Sequence, residues 1–138
     1  MKERLIVYYN KRLHLLQPDD ICCIEGDGSY AIISLRNGQQ MRVSKNLKNL
    51  FAEMPNSFTQ FLRVHKSWLV NINHLEYIYA VHDKSWFLHL SNNTEVPLSG
   101  SPNTILEMLN VKSSYMRQSW ALKANQTTKK LSKPKPQE

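Results

Sequence analysis

The segment FLRVHKSWLVN, residues 61–71, places four polar side chains in the middle of a hydrophobic run. Arg63, His65, Lys66 and Ser67 can all donate hydrogen bonds, and they are of the types that contact phosphate oxygens and the acceptor edges of bases. A histidine standing alone here would be better explained as a hydrogen-bonded residue at the rim of the core. The four donors together, flanked by large apolar residues, instead predict a surface that contacts a partner.

The charge of the chain is distributed in blocks. Residues 28–75 hold six basic residues against one acid, a net +5, whereas residues 1–27 (four basic, five acidic) and 76–111 (one basic, four acidic) are net negative. A local block of one sign is typical of a nucleic-acid-binding surface, although a solvated basic face explains the charge alone equally well. Three residues of the block are candidate phosphate contacts: Arg42, Lys45 and Lys48.

The end of the chain carries most of the formal net charge of +7. Residues 112–138 hold seven basic residues against one acid, a net +6. From about residue 124 this segment lacks the apolar content that offsets the entropy of ordering, so we expect it to be disordered. Tyr115 and Trp120, just before it, could extend the last helix or pack on a partner. We therefore expect one folded domain over residues 1–111, followed by a basic tail.

The patterns that catalysis and metal binding require are missing from the sequence. The five histidines form no i,i+4 pair, neither cysteine lies at metal-finger spacing from them, and there is no P-loop, GxGxxG loop or GxSxG elbow. We expect no enzyme, no metal and no cofactor, and no small-molecule ligand is evident. Cys22 and Cys23 would point to opposite faces of a strand, so we expect two buried, reduced thiols, with a redox role as the weaker alternative.

The hydrophobic stretches are short. None approaches the roughly 20 apolar residues that span a bilayer, and the apolar run near the N-terminus is too short for a secretory signal. Together with the expectation of reduced cysteines, this predicts a cytoplasmic protein that does not engage a membrane.

Hydrophobic alternation of period two dominates the chain and predicts short strands. Polar two-residue breaks predict tight hairpins: Asn37-Gly38 should form a type I′ turn, and Asp83-Lys84 and Asn92-Asn93 are further candidates. Residues 65–72 fit either a strand or a helix. The predicted strands are 4–9, 12–16, 20–26, 29–36, 39–43, 76–82, 85–91 and 94–98. The fold class is therefore mostly β, with antiparallel sheets.

Two segments have helical spacing instead, residues 44–54 and 101–110. The first has Ser44 as its candidate N-cap, and the second has Ser101 as N-cap with Pro102 at the first helical position. The residues expected to face the core are Leu47, Leu50, Phe51 and Met54 in the first helix and Ile105, Leu106 and Leu109 in the second.

The central motif is similar to that of a known family. FLRVHKSWLVNINHLEYI, residues 61–78, resembles the signature F-x-R-x-H-[RK]-S-x-x-V-N-x-x-x-I of the LytTR DNA-binding domain, found at the C-terminus of many bacterial response regulators. DDICCIEGDGSYAIISLRNGQ resembles the early strands of that family, SKNLKNLFAEM its S-L-x-x-L helix, and EVPLSGSPNTILEML its closing strand and last helix. The resemblance covers residues 3–110, and its central motif is the specific part.

The resemblance implies small stacked antiparallel sheets with two short helices, binding double-stranded DNA without a helix-turn-helix. In this family, loops enter successive major grooves on one face of a bent duplex. The matching positions are Ser29 and Tyr30 on the first contact loop, Arg63, His65, Lys66 and Ser67 on the central one, and Ser99, Gly100 and Ser101 on the third. Trp68, Val70 and Ile72 would support the central loop, with His65 and Lys66 exposed above them.

The chain departs from the family pattern in two places. The family usually has an arginine just after the serine of the third loop, where this chain has Ser99-Gly100-Ser101. Either that base contact is missing, or backbone N–H groups and Ser101 replace it with a phosphate contact. Before residue 3 there is no room for a receiver domain, so we expect a two-component-like, stand-alone output domain whose basic tail lies outside the family pattern.

The sequence thus predicts a bacterial, sequence-specific transcription regulator that binds double-stranded DNA, with a second copy on repeated half-sites as a candidate partner. The alternative from another class is a β-rich protein-interaction module with a basic tail that binds acidic partners. A third interpretation, an RNA binder, requires exposed aromatic side chains on a sheet face. Tyr30 and Trp68 are its only candidates, and Trp68 is expected in the core.

Overall fold

The computed structural model describes residues 3–82 and 85–109. The strands form three antiparallel sheets of two, three and five strands, and the described residues also contain two short α-helices. The elements are β1 (Leu5–Tyr9), β2 (Arg12–Leu16), β3 (Ile21–Asp27), β4 (Tyr30–Leu35), β5 (Gln40–Val43), α1 (Leu47–Glu53), β6 (Phe61–His65), β7 (Trp68–Asn71), β8 (Leu75–Val81), β9 (Ser85–Leu90), β10 (Glu95–Leu98) and α2 (Asn103–Met108). The mostly β prediction is confirmed, and all eight predicted strands are present within one residue of the predicted bounds.

The described residues divide into two compact units. The first unit runs up to Leu75 and includes Leu90–Thr94; it contains the two-stranded sheet β1–β2 and the five-stranded sheet β5-β4-β3-β7-β6. The second unit contains Glu76–His89 and the residues from Glu95 onward, and with them most of the sheet β10-β9-β8 and helix α2. None of the helices in residues 3–82 and 85–109 is long and apolar enough to cross a membrane.

The core of the first unit is built by alternation along its strands. Leu5 and Val7 of β1 point inward and pack with Ile24 and Ile33 of the five-stranded sheet, and Leu50 of α1 joins the same cluster. These side chains are removed from water, and burial of each contributes about 1.5–3 kcal/mol. The core therefore fixes the five-stranded sheet, whose loops carry most of the candidate site.

The prediction for the first helix was right in position and wrong in its details. The N-cap is Asn46, whose Oδ1 accepts a hydrogen bond from the N–H of Asn49 at 2.8 Å. Ser44 is therefore not the cap: β5 ends at Val43, and the chain needs three more residues before it turns into the helix. Phe51 is 39% exposed because the seven-residue helix buries a narrower stripe than the expected one.

The second helix also begins later than predicted. Its N-cap is Pro102, and Ser101 lies one residue before it, with its Oγ accepting from the N–H of Asn103 at 3.4 Å. Ile105 is fully buried as predicted, whereas Leu109 is 42% exposed. The prediction for Leu109 is wrong because the helix ends at Met108, before the stripe makes a further turn.

The turn chemistry differs from the predicted assignment. A type I′ turn needs positive φ at both central residues, and Asn37-Gly38 meets this only at Gly38, with φ 94°. The N–H of Gly38 bonds to the carbonyl of Leu35, which gives a three-residue loop ending in a left-handed glycine. Asn10 and Lys11, with φ 54° and 62°, both have positive φ, between β1 and β2.

The other two predicted turns have different outcomes. The hairpin at Asn92-Asn93 is present: Asn93 has φ 69°, and its N–H bonds to the carbonyl of Leu90 at 2.8 Å. Asp83-Lys84 lies outside the described residues, as do Tyr115, Trp120 and the rest of the predicted tail.

The two cysteines are free and fully buried, as predicted. Burial raises the pKa of both thiols, that of Cys23 to about 12, because a thiolate would be desolvated there. The Cys22 Sγ lies 3.8 Å from the Ser91 hydroxyl. These are structural thiols, held in the protonated form at neutral pH.

Candidate nucleic-acid interface

The polar cluster of residues 65–67 lies at the tip of a tight hairpin. His65 pairs with Trp68 across β6 and β7, which leaves Lys66 and Ser67 as a two-residue loop. A register shift falls between Arg63 and His65. The sequence could not decide between strand and helix here because the hairpin reverses direction inside the ambiguous segment.

The Arg63 side chain braces this turn from within. Its Nε donates to the carbonyl oxygen of His65 at 3.2 Å, and its Nη2 donates to the carbonyl oxygen of Lys66. A guanidinium is suited to this because its donors form a planar, rigid fork. Arg63 therefore holds the backbone of the loop from an exposed position on β6.

The ring of His65 has a defined hydrogen-bonding role. Its Nδ1 accepts from the N–H of Ser67 at 3.1 Å, so in the neutral imidazole the proton lies on Nε2. Nε2 has no hydrogen-bond partner among the described residues, and it is free to donate to an acceptor. His65 is half-buried, so the expectation that it is exposed is wrong: the ring folds over its own turn.

Lys66 occupies the outermost position of the loop. Its side chain is exposed, and its ammonium has no ion-pair or hydrogen-bond partner within residues 3–82 and 85–109. The loop is tied to the sheet by the carbonyl of Ser67, which accepts from the N–H of Gly26 at 2.7 Å. The backbone of the loop is thus held in place, and the Lys66 ammonium has no partner in the described part of the chain.

The expected support of the loop is confirmed only in part. Val70 and Ile72 are buried, and Leu69 between Trp68 and Val70 is completely buried. Trp68 is half-buried and is not a core residue. It pairs with Glu25 and with His65 at the tip of the hairpin, where part of the ring remains in water.

The asparagine of the motif has a structural role that residue types alone did not show. Asn71 is fully buried, and its Nδ2 donates to the carbonyls of Pro18 at 3.0 Å and Ile21 at 2.9 Å. Its Oδ1 accepts from the N–H of Asn73. The amide is thus bonded inside the protein at both its nitrogen and its oxygen, which fixes the far end of β7 against the start of β3.

The first predicted contact loop is a second tight hairpin. Asp27 pairs with Tyr30 across β3 and β4, leaving Gly28 and Ser29 as the loop, with Gly28 at φ 62°. Tyr30 is 41% exposed, and the guanidinium of Arg42 lies over its ring at 4.2 Å from the centroid. Arg42 also approaches Asp27 at 3.7 Å, so this cation is held beside the loop.

The two hairpin tips lie at the same end of the five-stranded sheet. β3 pairs with β7 in antiparallel fashion, with Glu25 opposite Trp68. The C-terminal end of β3 and the N-terminal end of β7 therefore lie at the same end of the sheet. Residues 28–30 and 65–67, about forty positions apart in the sequence, form neighbouring parts of one surface, which we call the sheet-end surface.

The third predicted loop belongs to the second unit and is described by itself. Ser99, Gly100 and Ser101 are all exposed, between β10 and α2. Gly100 has φ 79°, a conformation that glycine adopts without strain. The loop offers two hydroxyls and backbone N–H groups but no basic side chain.

The remaining basic candidates are held loosely. Lys45 is ion-paired with Glu53, and both side chains are exposed. Lys48 is exposed on α1 and has no ion-pair partner in the described ranges. Exposed ion pairs contribute about 0–1 kcal/mol, so a phosphate could replace Glu53 at little cost.

The fold and the sheet-end surface define a mostly β module that presents donors on rigid hairpins, and comparison with known proteins gives its family. The sequence matches the family described as the LytTr DNA-binding domain over residues 11–109. The chain belongs to this family, which is one of non-catalytic, DNA-binding domains. No curated protein matches the sequence.

A solved structure supports the same fold. The chain is similar to a LytTr DNA-binding domain assigned to a methyl-accepting/DNA response regulator from Bacillus cereus, with a TM-score of 0.63 and 19% sequence identity. The match covers 79% of this chain and 98% of the other. The shared fold confirms the resemblance read from the sequence, with three antiparallel sheets and two short helices.

Proposed function

We propose that the protein is a sequence-specific transcription regulator that inserts loops into the major grooves of double-stranded DNA. Family membership establishes a DNA-binding domain. The observation that carries the finer proposal is the sheet-end surface, where Lys66 and Nε2 of His65 have no partner among the described residues. Both residues lie at the tip of the β6–β7 hairpin, whose backbone is braced by Arg63. Rigid loops that present donors meet the geometric demand of base readout.

The proposed base-reading and positioning residues fall into three loops. Tyr30 and Ser29 serve the first loop and Ser99, Gly100 and Ser101 the third. In the central loop, Nε2–H of His65 and the ammonium of Lys66 donate to base acceptors such as N7 and O6 of guanine, and Ser67 and Arg63 fix the loop beneath them. The third loop lacks a basic side chain, so its hydroxyls and backbone N–H groups are proposed to contact phosphate.

Phosphate contacts in the first unit come from cations beside the loops. Arg42 lies against Tyr30, and Lys45 and Lys48 follow on the segment that leads into and along α1. Each neutralised phosphate releases counterions, so binding should weaken steeply as salt is added. These contacts orient the domain without reading the sequence.

Family membership favours this proposal over the two alternatives. A protein-interaction module would not require donors on the sheet-end surface. An RNA binder would stack bases on aromatic side chains. Of the two candidates read from the sequence, Tyr30 is covered on one face by Arg42 and Trp68 is half-buried. The exposed Tyr8 and Tyr77 lie outside the sheet-end surface. We propose that the protein acts in the bacterial cytoplasm, where its DNA lies, and that a second copy occupies a repeated half-site.

Selection of bound duplexes from a random pool tests the proposal. We expect enrichment of a defined motif, and an affinity for it that exceeds non-specific binding by about 10³-fold or more. The logarithm of the binding constant should fall linearly with the logarithm of salt concentration. No enriched motif, or tighter binding to single-stranded RNA of the same sequence, would contradict it.

A further inference from the structure

The β1–β2 hairpin has an apolar face that is open to water. Its register pairs Ile6 with Leu15 and Tyr8 with Leu13, so the four side chains lie side by side on one face. They are 54%, 53%, 64% and 68% exposed, respectively. We call these four residues the outer hairpin face. The opposite face is buried in the core through Leu5, Val7 and Leu16.

This concentration of apolar surface is unusual for a domain surface. Single exposed apolar residues are ordinary, but a contiguous group marks an interaction site. The outer hairpin face contains four of the eight large hydrophobic residues that are exposed in the described part of the chain. A sheet with one buried side normally alternates apolar and polar residues. The hairpin departs from this pattern, so we expect its exposed apolar residues to have a role other than folding.

Two cations lie at the ends of the outer hairpin face. Arg4 lies two residues before Ile6, so strand alternation places it on the same side, and Lys11 lies at the turn. Arg12 also lies near the turn, but it pairs with Tyr9 and so belongs to the opposite side of the hairpin. All three are exposed, and Glu3 is the nearby acid. A second copy would bring two sets of like charges together, which disfavours self-association through this face. The charges instead suit a partner that carries carboxylates around an apolar centre.

A groove adjoins the face at its turn end. It has a volume of about 370 Å³ and lies between Val7, Tyr8 and Asn10 on one side and Arg42, Lys45 and Leu50 on the other. A groove of this kind can hold one bulky side chain of a partner, as energetically important interface residues commonly require. A membrane surface would not need such a concavity, so the groove favours a protein.

We propose that the outer hairpin face binds a short amphipathic segment of a protein partner, apolar along one side and rich in Asp and Glu along its edges. The footprint of four side chains and one groove is smaller than the roughly 800 Å² per partner of a standard interface. It suits a peptide-sized segment. None of the four apolar residues belongs to the proposed DNA contacts. The groove, in contrast, includes Arg42 and Lys45, which are also proposed phosphate contacts.

A peptide titration of the full chain tests the proposal. The probe is a synthetic helical peptide with leucine along one side and glutamate along the others. One control peptide has the same composition in scrambled order, and the other has lysine in place of glutamate. We expect the acidic amphipathic peptide to bind at least about tenfold more tightly than either control, as an anchor with complementary charge should. Amide shifts in a heteronuclear NMR spectrum should centre on residues 4–17.

Variants locate the binding. Leu13→Gln with Leu15→Gln should lower peptide affinity by about tenfold or more, since they remove apolar anchors. Arg4→Gln with Lys11→Asn should lower it and make it less sensitive to salt; asparagine tolerates the positive φ of Lys11. Tyr77→Gln, at a position 53% exposed in the second unit, is the matched control and should leave peptide affinity unchanged. Unchanged melting temperature and DNA affinity show that each variant is folded.

Several outcomes would overturn the proposal. Equal binding of the scrambled or lysine peptide would do so, as would full affinity in the Leu13→Gln, Leu15→Gln variant. A concentration-dependent dimer in sedimentation velocity that this variant abolishes would assign the face to a second copy. Binding to anionic vesicles through the same residues would assign it to a membrane. Tighter peptide binding after removal of residues 112–138 would assign it to the chain's own tail.

Discussion

The backbone N–H of Ser67 donates to Nδ1 of His65 across 3.1 Å, at the tight turn between β6 and β7. This bond selects the tautomer of the imidazole with its proton on Nε2. The one nitrogen that remains available is thus a donor, which suits the acceptor-rich edge of guanine and the oxygens of phosphate. The hydrogen bond from the backbone of Ser67 therefore determines which groups His65 can recognise.

Replacing the two outer residues of this turn should separate recognition from stability. Lys66→Ala should change the free energy of unfolding by less than about 0.5 kcal/mol, since the side chain is exposed. His65→Ala should cost about 1 kcal/mol, since it also removes the bond from Ser67. Each should reduce discrimination between the selected site and a scrambled duplex by about 1–3 kcal/mol. Fluorescence anisotropy with both duplexes measures this.

Lys48→Ala is the control for that experiment. Lys48 is a proposed phosphate contact, so its replacement should weaken binding to both duplexes alike and leave discrimination intact. If Lys66→Ala behaves in the same way as Lys48→Ala, then Lys66 contacts phosphate and does not read a base.

Arg63 is expected to act by holding the turn, and its two conservative variants distinguish this from a phosphate contact. Arg63→Lys keeps the charge but replaces the planar fork, whose two nitrogens bond the carbonyls of His65 and Lys66, with a single ammonium nitrogen that does not reproduce that geometry. We expect it to lose site discrimination with no change in the slope of log K against log salt. Arg63→Gln should lose discrimination too. Full discrimination in Arg63→Lys, with a slope shallower by about 0.9 in Arg63→Gln, would show a phosphate contact instead.

Both neighbours at the start of β7 should contribute to stability. Leu69 is completely buried, so Leu69→Ala should cost about 2–5 kcal/mol. Trp68 is buried only in part, and about two-thirds of the area of its side chain at 25 cal/mol per Å² gives about 3 kcal/mol for Trp68→Ala. Denaturant unfolding compares them. A Trp68→Ala protein that is fully stable and binds no DNA would place the ring in the interface.

The sequence was sufficient for the strands because runs of apolar, β-branched and aromatic residues are separated by short polar breaks. Local details that depend on competition between alternative capping residues or turn types were not predictable. Ser44 and Asn46 are both good N-caps, and the choice depends on how far the chain must travel from the end of β5. Asn37-Gly38 is the better type I′ sequence, yet the register of β4 and β5 gives it a longer loop.

The candidate site was predictable in its residue types and not in its geometry. The cluster of Arg63, His65 and Lys66 could be read from one short segment. Its position beside Tyr30 depends on the pairing of β3 with β7, which joins residues far apart in the chain. The side chain of Arg63 bonds the backbone of its own loop, and this depends on the register shift in β6. The sequence has no local pattern that predicts this shift.

The buried thiols should be slow to react in the folded protein. Burial raises the pKa of Cys22 and of Cys23, so the fraction of reactive thiolate at neutral or mildly alkaline pH is below that of a free cysteine. Ellman's reagent should label both residues rapidly after unfolding in guanidinium chloride and slowly before it. Rapid labelling of one thiol in the native protein would favour the redox role that the sequence left as an alternative.

Removal of the basic tail should affect affinity and leave recognition intact. Residues 112–138 carry +6 of the +7 net charge, so they can attract phosphates, but the proposed base-reading residues all lie before them. Truncation after Val111 should lower affinity for every duplex alike. The slope of log K against log salt should become shallower by about 0.9 for each phosphate that the tail no longer neutralises. If the truncated chain keeps its affinity and loses its preferred site, the tail reads the DNA, and the roles proposed for His65 and Lys66 are wrong.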